Sequence, residues 1–552
     1  MNIISTINKN LKNEIIDFNK SKTFEKKVLF VTGFSGFNHA NCLDTLLAIN
    51  LIKKKVKSEF LFCDKALNAC TLTKFKQAPP ELLKDFSFEQ PRCQKCFKTK
   101  NFNHLDELGF KLNFFGDYIN LDNIKKLKTT VEENSMERLS KINKCDINIH
   151  EHALSNTLRY FAKGNLTKEK FEEEIYKRFY YSSLISYYSF KNLIKKNKYD
   201  IIIMSHGIYC PHGIINDICK KEKINNYIYI PSYREKTFVI TKNDTYHKAL
   251  LYEKNKDINI NLNLNQREKL KKYISGRMTG KYDWIWFNKE NNLNTNDIVK
   301  RNKIDLNKKI YLMLTNVVWD ARLHYENNCF ENILEWIFGT IDFFIKNKEK
   351  VLIIRVHPAE ITGTVKSRQK VIDEINKKYK KLPDNIIIIP PESSDSTYKL
   401  IDISDCVLVH STKAAIEAAY LKKRVVVAGE AWVKGKGFTI DPKNKLEYIN
   451  VLSQDNIFHL SDEEKLRAEN FAYYIFFKRM IMIPEINIKS KNNSFYLDLD
   501  KKKNIEKNNS NNLNELIEKI SNYDDCIIED KFNNQKYPNL FLRLINFLTG
   551  KN

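Results

Sequence analysis

Two histidine-bearing turns and one basic, glycine-spaced loop hold the side chains best suited to acid–base work and to phosphate. His206-Gly207 and Pro211-His212-Gly213 follow the apolar run Tyr199–Ser205. Histidine exchanges a proton near neutral pH, so His206 and His212 are the first candidates for a general base, with Glu151 third. Arg355 and His357 stand two apart at the end of the run Val351–Val356, which places them on one face of a strand, with Pro358 following. His410-Ser411-Thr412 closes the run Cys406–Val409 and opens an amphipathic stretch from Lys413 to Tyr420. Hydroxyls at a strand-to-helix junction cap the helix, and a helix start favours an anion. In the loop Gly429–Gly437, Gly435 and Gly437 let backbone approach a ligand closely, while Lys434 and Lys436 supply charge for phosphate.

These groups need strands to carry them, and the order of elements supplies them. A first βαβ start is expected from Lys27–Thr32, a helix near Ala40–Lys54 and a strand at Glu59–Cys63. The turn Gly33–Gly36 lacks the G-x-G-x-x-G spacing, which removes the main support for a dinucleotide enzyme. Helices are expected near Leu121–Lys141 and Lys168–Lys196. The second half repeats the alternation: strands at Ile310–Leu314 (ending in Thr315-Asn316), Val351–Val356, Ile386–Ile389, Cys406–Val409 and Arg424–Val427, with helices between. That pattern is a parallel sheet wound with helices. The reading is a first α/β domain over 1–253 with a helical insertion, and an Asn/Lys-rich linker or excursion over 254–306. A second, nucleotide-binding α/β domain follows over 307–488, then a polar linker and a C-terminal amphipathic segment over 489–552. Ser461-Asp462-Glu463-Glu464 reads as a capping box launching an aromatic-rich helix.

Composition bounds the function. The chain has 552 residues, 42% hydrophobic and 12% aromatic, as expected of two or three globular domains. No apolar run approaches the roughly 18 residues that a membrane span needs, and the N-terminus shows no signal-peptide pattern, so a cytoplasmic address is expected. The net charge of +25 calls for an anionic partner, although lysine-rich composition alone accounts for it equally well. No RNA-binding signature is visible, and nucleic acid is not an expected partner. His150-Glu151-His152 is not a zinc-protease motif, because side chains at i and i+2 of a helix point apart. Cys63, Cys70, Cys93 and Cys96 are weak candidates for a structural zinc site. Buried thiols are the favoured reading for these four among the 11 cysteines. The segment Tyr537–Leu548 is short, apolar and flanked by basic residues, which suits either an anionic membrane surface or packing on the body.

Arg355-Val356-His357-Pro358, His410-Ser411-Thr412 with Glu417, and the stretch Gly429–Thr439 together resemble the capsule polysaccharide biosynthesis family of GT-B-type bacterial transferases, some of which use CMP-linked Kdo. The resemblance covers about Ile310–Pro442, with Ser205–Gly213 also similar. It implies a GT-B-like fold: two Rossmann-like domains facing across a cleft, with additional helices. By that resemblance, His357 and Ser411-Thr412 hold the donor phosphate, Glu417 holds the ribose, and Lys434–Gly437 closes on the donor. Arg355, Pro358, His410 and Asn316 complete the donor side. The resemblance implies a nucleotide-sugar donor, no required metal or other cofactor, and a glycan or lipid-linked acceptor at the inner face of the membrane. A teichoic-acid-type polyol-phosphate transferase and a non-catalytic assembly or export protein are the alternatives.

Overall fold

The computed structural model describes residues 9–529, except 22, 143–144, 255–257, 280–281, 285–293, 321–326, 456–458, 490–493 and 498–509. Two sheets dominate it. The first runs β12-β6-β5-β4-β1-β2-β3, with β1 at Lys26–Gly33, β2 at Val56–Phe62, β3 at Lys111–Phe114, β4 at Ile201–Ser205, β5 at Asn225–Pro231, β6 at Thr237–Lys242 and β12 at Met480–Met482. The second runs β11-β10-β7-β8-β9, with β7 at Lys309–Leu314, β8 at Lys350–Arg355, β9 at Ile386–Ile389, β10 at Cys406–Val409 and β11 at Arg424–Val427. All pairings in the second sheet are parallel, as are those from β3 through to β5 in the first.

Strand chemistry explains this layout. The Ile201–Ser205 sequence IIIMS is buried at every position, as is Cys406–Val409. A parallel strand covered by helices on both faces needs such an unbroken apolar run, each buried isoleucine contributing about 2 kcal/mol. Both sheets share one winding. In each, the first strand sits in the middle and the chain then turns back to the other side, so β1 neighbours β4 and β7 neighbours β10. Where the winding reverses, the loops after the two central strands part and leave a crevice at the carboxyl edge. The His206–His212 turn leaves β4, and the His410–Lys413 turn leaves β10, so both lie at such edges. The architecture is the GT-B-like pair of Rossmann-like sheets across a cleft.

Four stretches differ from their sequence reading. The interval 254–306 contains the helices Leu264–Arg277 and Thr295–Arg301. Leu270, Tyr273, Ile274 and Ile298 are buried in the same core cluster as Leu312, Ile353 and Val407. The Asn/Lys composition describes only the exposed side; the stripe at 270, 273, 274 and 277 has helical spacing. Met480–Met482, assigned by sequence to the second domain, pairs antiparallel with β6 of the first sheet. Within the expected polar linker, Ser494–Leu497 pairs with Ile486–Lys489. The helix Ser510–Ser521 then buries Leu513, Leu516, Ile517 and Ile520 beside Phe30 and Phe60. Tyr537–Leu548 lies outside the described residues. The expected helix Leu121–Lys141 is two, Leu121–Glu133 and Met136–Ser140, because Ser135 caps the second by accepting from the Arg138 N–H at 3.2 Å.

Candidate active site

Two cavities open at the cleft, of about 280 Å³ and about 430 Å³. The smaller is lined by Asn316, Arg355, His357, Pro358, Ser411, Thr412 and Glu417 among others, so seven of the sequence-derived donor residues come together there. The larger takes His410 and Glu151 instead.

The winding of the second sheet brings the smaller cavity's residues together. Asn316 follows β7, Ser411 follows β10, and the Asn316 Oδ1 accepts from the Ser411 N–H at 3.4 Å across the reversal point. His357 leaves β8; the backbone N–H of Ala359 donates to its Nδ1 at 3.0 Å. That bond puts the ring proton on Nε2, so His357 is a neutral donor. Burial, with Arg355 and Lys413 adding repulsion, holds its pKa down to about 4. Arg355 itself turns to backbone, donating to the carbonyls of Pro390 and of Ser393, the latter at 3.1 Å. It fixes the loop after β9.

Ser411 and Thr412 precede a helix that spans only Ala414–Tyr420, with Lys413 at its N-cap. Thr412 Oγ1 accepts from the Ala414 N–H at 3.3 Å. The expected start of the helix at Lys413 is therefore one residue early, and the hydroxyls act from a turn ahead of it. Glu417 is bound tightly from three sides. Tyr398 Oη donates to its Oε2 at 2.9 Å, Lys413 Nζ to its Oε1 at 2.6 Å, and Arg277 Nε lies 3.1 Å from the same oxygen. Arg277 also pairs with the buried Asp283, and Lys413 stands 4.1 Å above the Tyr233 ring. Two cations and two carboxylates thus balance in a nearly dry setting. Burial pushes Glu417 up, but Arg277 and Lys413 overcome it and hold it down to about 2. Burial and Arg277 lower Lys413 to about 8.

Several expected residues are spent elsewhere. Lys436 Nζ donates to the carbonyls of Leu251 and Glu253, each at 2.8 Å, so its charge ties the glycine loop to the chain leaving the first domain. Lys434 donates to the Asn327 carbonyl at 2.8 Å, and Gly435 donates to Asp441 at 2.7 Å. None of Lys434–Gly437 lines either cavity; Trp432 of that loop does. His212 is 1% exposed and its Nε2 bonds the Val31 carbonyl at 3.1 Å, a structural tie between β1 and the helix His212–Lys221. His206 takes a left-handed backbone, φ 67°, and burial holds its pKa down to about 3. His410 packs 5.7 Å from the Trp336 ring, and a Cβ at Gly429 would come within 2.6 Å of its Nδ1.

Sequence reading missed Arg277, hidden in the presumed linker, and Lys413, whose i,i+4 spacing to Glu417 was its only signal. Tyr233 lines the smaller cavity, while its neighbour Arg234 donates to the Met480 carbonyl at 2.8 Å. Cys63, Cys70, Cys93 and Cys96 line one small pocket, where the Gly36 N–H donates to Cys96 Sγ at 3.2 Å. Burial pushes the Cys93 thiol up to about 11. Among the described residues no three His, Cys, Asp or Glu side chains stand where they could hold a metal ion.

Among the described residues no helix is long and apolar enough to cross a membrane. No curated protein sequence matches the chain. Among solved structures, a Thermosulfurimonas dismutans KpsC, a beta Kdo 2,4 transferase, is 11% identical with TM-score 0.35, over 58% of this chain and 87% of that one. A second KpsC from the same organism, a beta Kdo 2,7 transferase, is 14% identical with TM-score 0.31, over 61% and 89%. The UDP-GlcNAc 2-epimerase from Neisseria meningitidis bound to UDP-GlcNAc is 11% identical with TM-score 0.24, over 81% and 98%. Residues 186–474 match the sequence pattern described as capsule polysaccharide biosynthesis protein, a span taking in β4, the His206–His212 turn and the whole second sheet. The chain belongs to the capsule polysaccharide biosynthesis protein family.

Proposed function

We propose that this chain is a glycosyltransferase of bacterial surface polysaccharide synthesis that takes a nucleotide-sugar donor into the smaller cavity. The observation that carries this reading is the meeting of His357, Ser411, Thr412 and Lys413 in one cavity at the reversal point of a doubly wound sheet. Open α/β sheets bind ligands at that point. The His357 Nε2–H and the Ser411 and Thr412 hydroxyls donate to the donor phosphate. As the phosphate leaves, its growing charge is met by these donors and by the nearby Lys413 ammonium. Glu417 is already held by Arg277, Lys413 and Tyr398, so in this reading it orients those groups as well as facing the ribose. Arg277 and Lys413 are balanced by Glu417 and Asp283, and Arg355 is turned to backbone carbonyls, so the choice of a CMP-linked ulosonic acid as the donor rests on the family resemblance. The acceptor is a glycan or glycolipid, met at the inner face of the membrane.

The test is a thermal-shift and binding panel of CMP-, UDP-, CDP- and GDP-linked sugars on the wild type and on His357→Ala. A ligand bound only by the native state raises its melting temperature. The expected result is stabilisation by CMP-linked donors that is lost in His357→Ala. Stabilisation by CDP-glycerol or CDP-ribitol alone would turn the reading toward polyol-phosphate transfer. No response to any nucleotide would leave a non-catalytic assembly role.

A further inference from the structure

In a chain of net charge +25, the larger cavity is acidic. Its wall holds Glu151 and Asp217 from the first domain and Asp320 and Glu331 from the second, against Lys220 and Lys248. Lys220 is paired with Asp244 at 2.7 Å, so part of that positive charge is already met. Asp217 stands on the helix His212–Lys221, where His152 Nε2 donates to its Oδ2 at 2.8 Å, and 38% of its side chain stays exposed. Burial pushes the Asp217 carboxyl up, but the His152 bond and the nearby lysines hold it below the ordinary range, so it is charged at neutral pH. His152 itself is 3% exposed. With Nε2 committed, its Nδ1 is a buried acceptor without a partner among the described residues. The loop after β7 separates this cavity from the smaller one: Val317 faces the smaller, Val318 and Trp319 the larger, and Asp320 both. Tyr209, in the turn after β4, donates to Asp320 Oδ1 at 3.0 Å and ties that wall to the first domain. Hydrogen-bond donors gather on one side of the wall and acceptors on the other.

We infer that the larger cavity selects the acceptor by charge, seating a sugar end that donates hydrogen bonds and carries no acidic group: a neutral or amino sugar. This rests on the transferase reading. Carboxylates and the His152 Nδ1 only accept, so sugar hydroxyls or an ammonium group satisfy them, whereas a second carboxylate or a phosphate adds no donor. Such an end would also meet like charge from both domains at once, Glu151 and Asp217 on one side and Glu331 on the other, and like charges set face to face exclude a partner. Asp217 and Glu331 therefore set specificity through binding. The same repulsion acts on the product. With an acidic sugar as donor, the new chain end is one that this cavity rejects, so each acceptor gains a single residue and is released.

The experiment uses the full chain and disaccharides matched except at the non-reducing end, which is glucosamine, glucose or glucuronic acid. It reads their binding by calorimetry without donor, and kcat and KM with the nucleotide sugar that stabilises the protein in the panel above. The glucosamine and glucose ends should bind at least about tenfold more tightly than the glucuronic acid end, with the difference in turnover carried by KM. Glu331→Lys, alone and with Asp217→Asn, should bring the acidic end to within about threefold of the neutral one, with kcat for the neutral end little changed. Mass spectrometry of products from an acidic donor should show one added residue. An acidic end bound and used as well as a neutral one overturns the inference. So does binding of none of the three, an unchanged preference in both variants, or several acidic residues added in a row. A wild type that neither binds nor consumes any nucleotide sugar ends the transferase reading and this inference with it, whereas loss of the acceptor preference alone leaves that reading intact.

Discussion

Arg277, from the helix Leu264–Arg277, places its Nε 3.1 Å from Glu417 Oε1 on the far side of the smaller cavity's floor. The side chains of both are nearly excluded from solvent, at 8% and 3% exposure. Removing one member of a buried pair leaves the other charge uncompensated, at a cost of about 3 kcal/mol or more. Arg277→Met should therefore lower the denaturant midpoint markedly, and so should Glu417→Gln. The double variant should be clearly less destabilised than the sum of the two. Simple additivity in urea melts would show that the pair is not coupled.

Acid should dissolve this same cluster. Glu417 ionises at about 2 in the folded chain against an ordinary 4.5, so the folded state binds fewer protons in that window. Its stabilising contribution is complete above about pH 4.5 and is lost as pH falls toward 2. Lys413 has the opposite sense. Burial and Arg277 lower it from 10.5 to about 8, so it holds the fold back below pH 8, and stability is regained as pH rises from about 8 to 10.5. The stability gap between wild type and Glu417→Gln should shrink from pH 4.5 downward. The gap between Lys413→Met and wild type should change between pH 8 and 10.5 and stay flat from 6 to 8. Flat gaps across both windows would contradict the assigned charges.

Two residues assigned to one ligand by sequence should separate in experiment. His357→Ala removes a neutral donor from the cavity and should weaken nucleotide binding by about tenfold, about 1.4 kcal/mol, with little effect on folding. Lys436→Met leaves two buried carbonyls without a donor and should cost about 2 kcal/mol of stability. Its nucleotide affinity, measured by calorimetry, should stay within about twofold of wild type. A large affinity loss in Lys436→Met would return that lysine to the donor site.

Gly213 and Gly429 should each reject alanine. A Cβ at Gly213 would lie 2.0 Å from the Ile208 carbonyl oxygen, and one at Gly429 would lie 2.8 Å from the His410 carbonyl oxygen. Backbone cannot yield as a side-chain end can, so each substitution should cost about 2 kcal/mol or more, read as a lowered unfolding midpoint. Wild-type stability in Gly213→Ala would mean that the turn carrying His206 and His212 is looser than its contacts indicate.

Apolar runs and turn residues determined the two sheets, because a covered parallel strand must be hydrophobic along its whole length. Ile201–Ser205, Ile386–Ile389 and Cys406–Val409 were legible for that reason, and so was the capping box in which Ser461 Oγ accepts from the Glu464 N–H at 3.1 Å. Arg355, His357, Ser411 and Thr412 were legible as a set because each stands just past, or at the end of, such a run, where a parallel sheet collects its loops. Sequence alone did not show where each side chain spends its hydrogen bonds. Lys436 and His212 carry the residue types of a site, yet backbone carbonyls distant in sequence claim them. The helical spacing of Arg277 from Leu270, Tyr273 and Ile274 marks it only as facing inward and names no partner for it. Only the return of the chain across the cleft brings Arg277 to Glu417 and Tyr209 to Asp320. Period and composition record what a residue's neighbours along the chain require of it; contacts between distant segments are settled by packing.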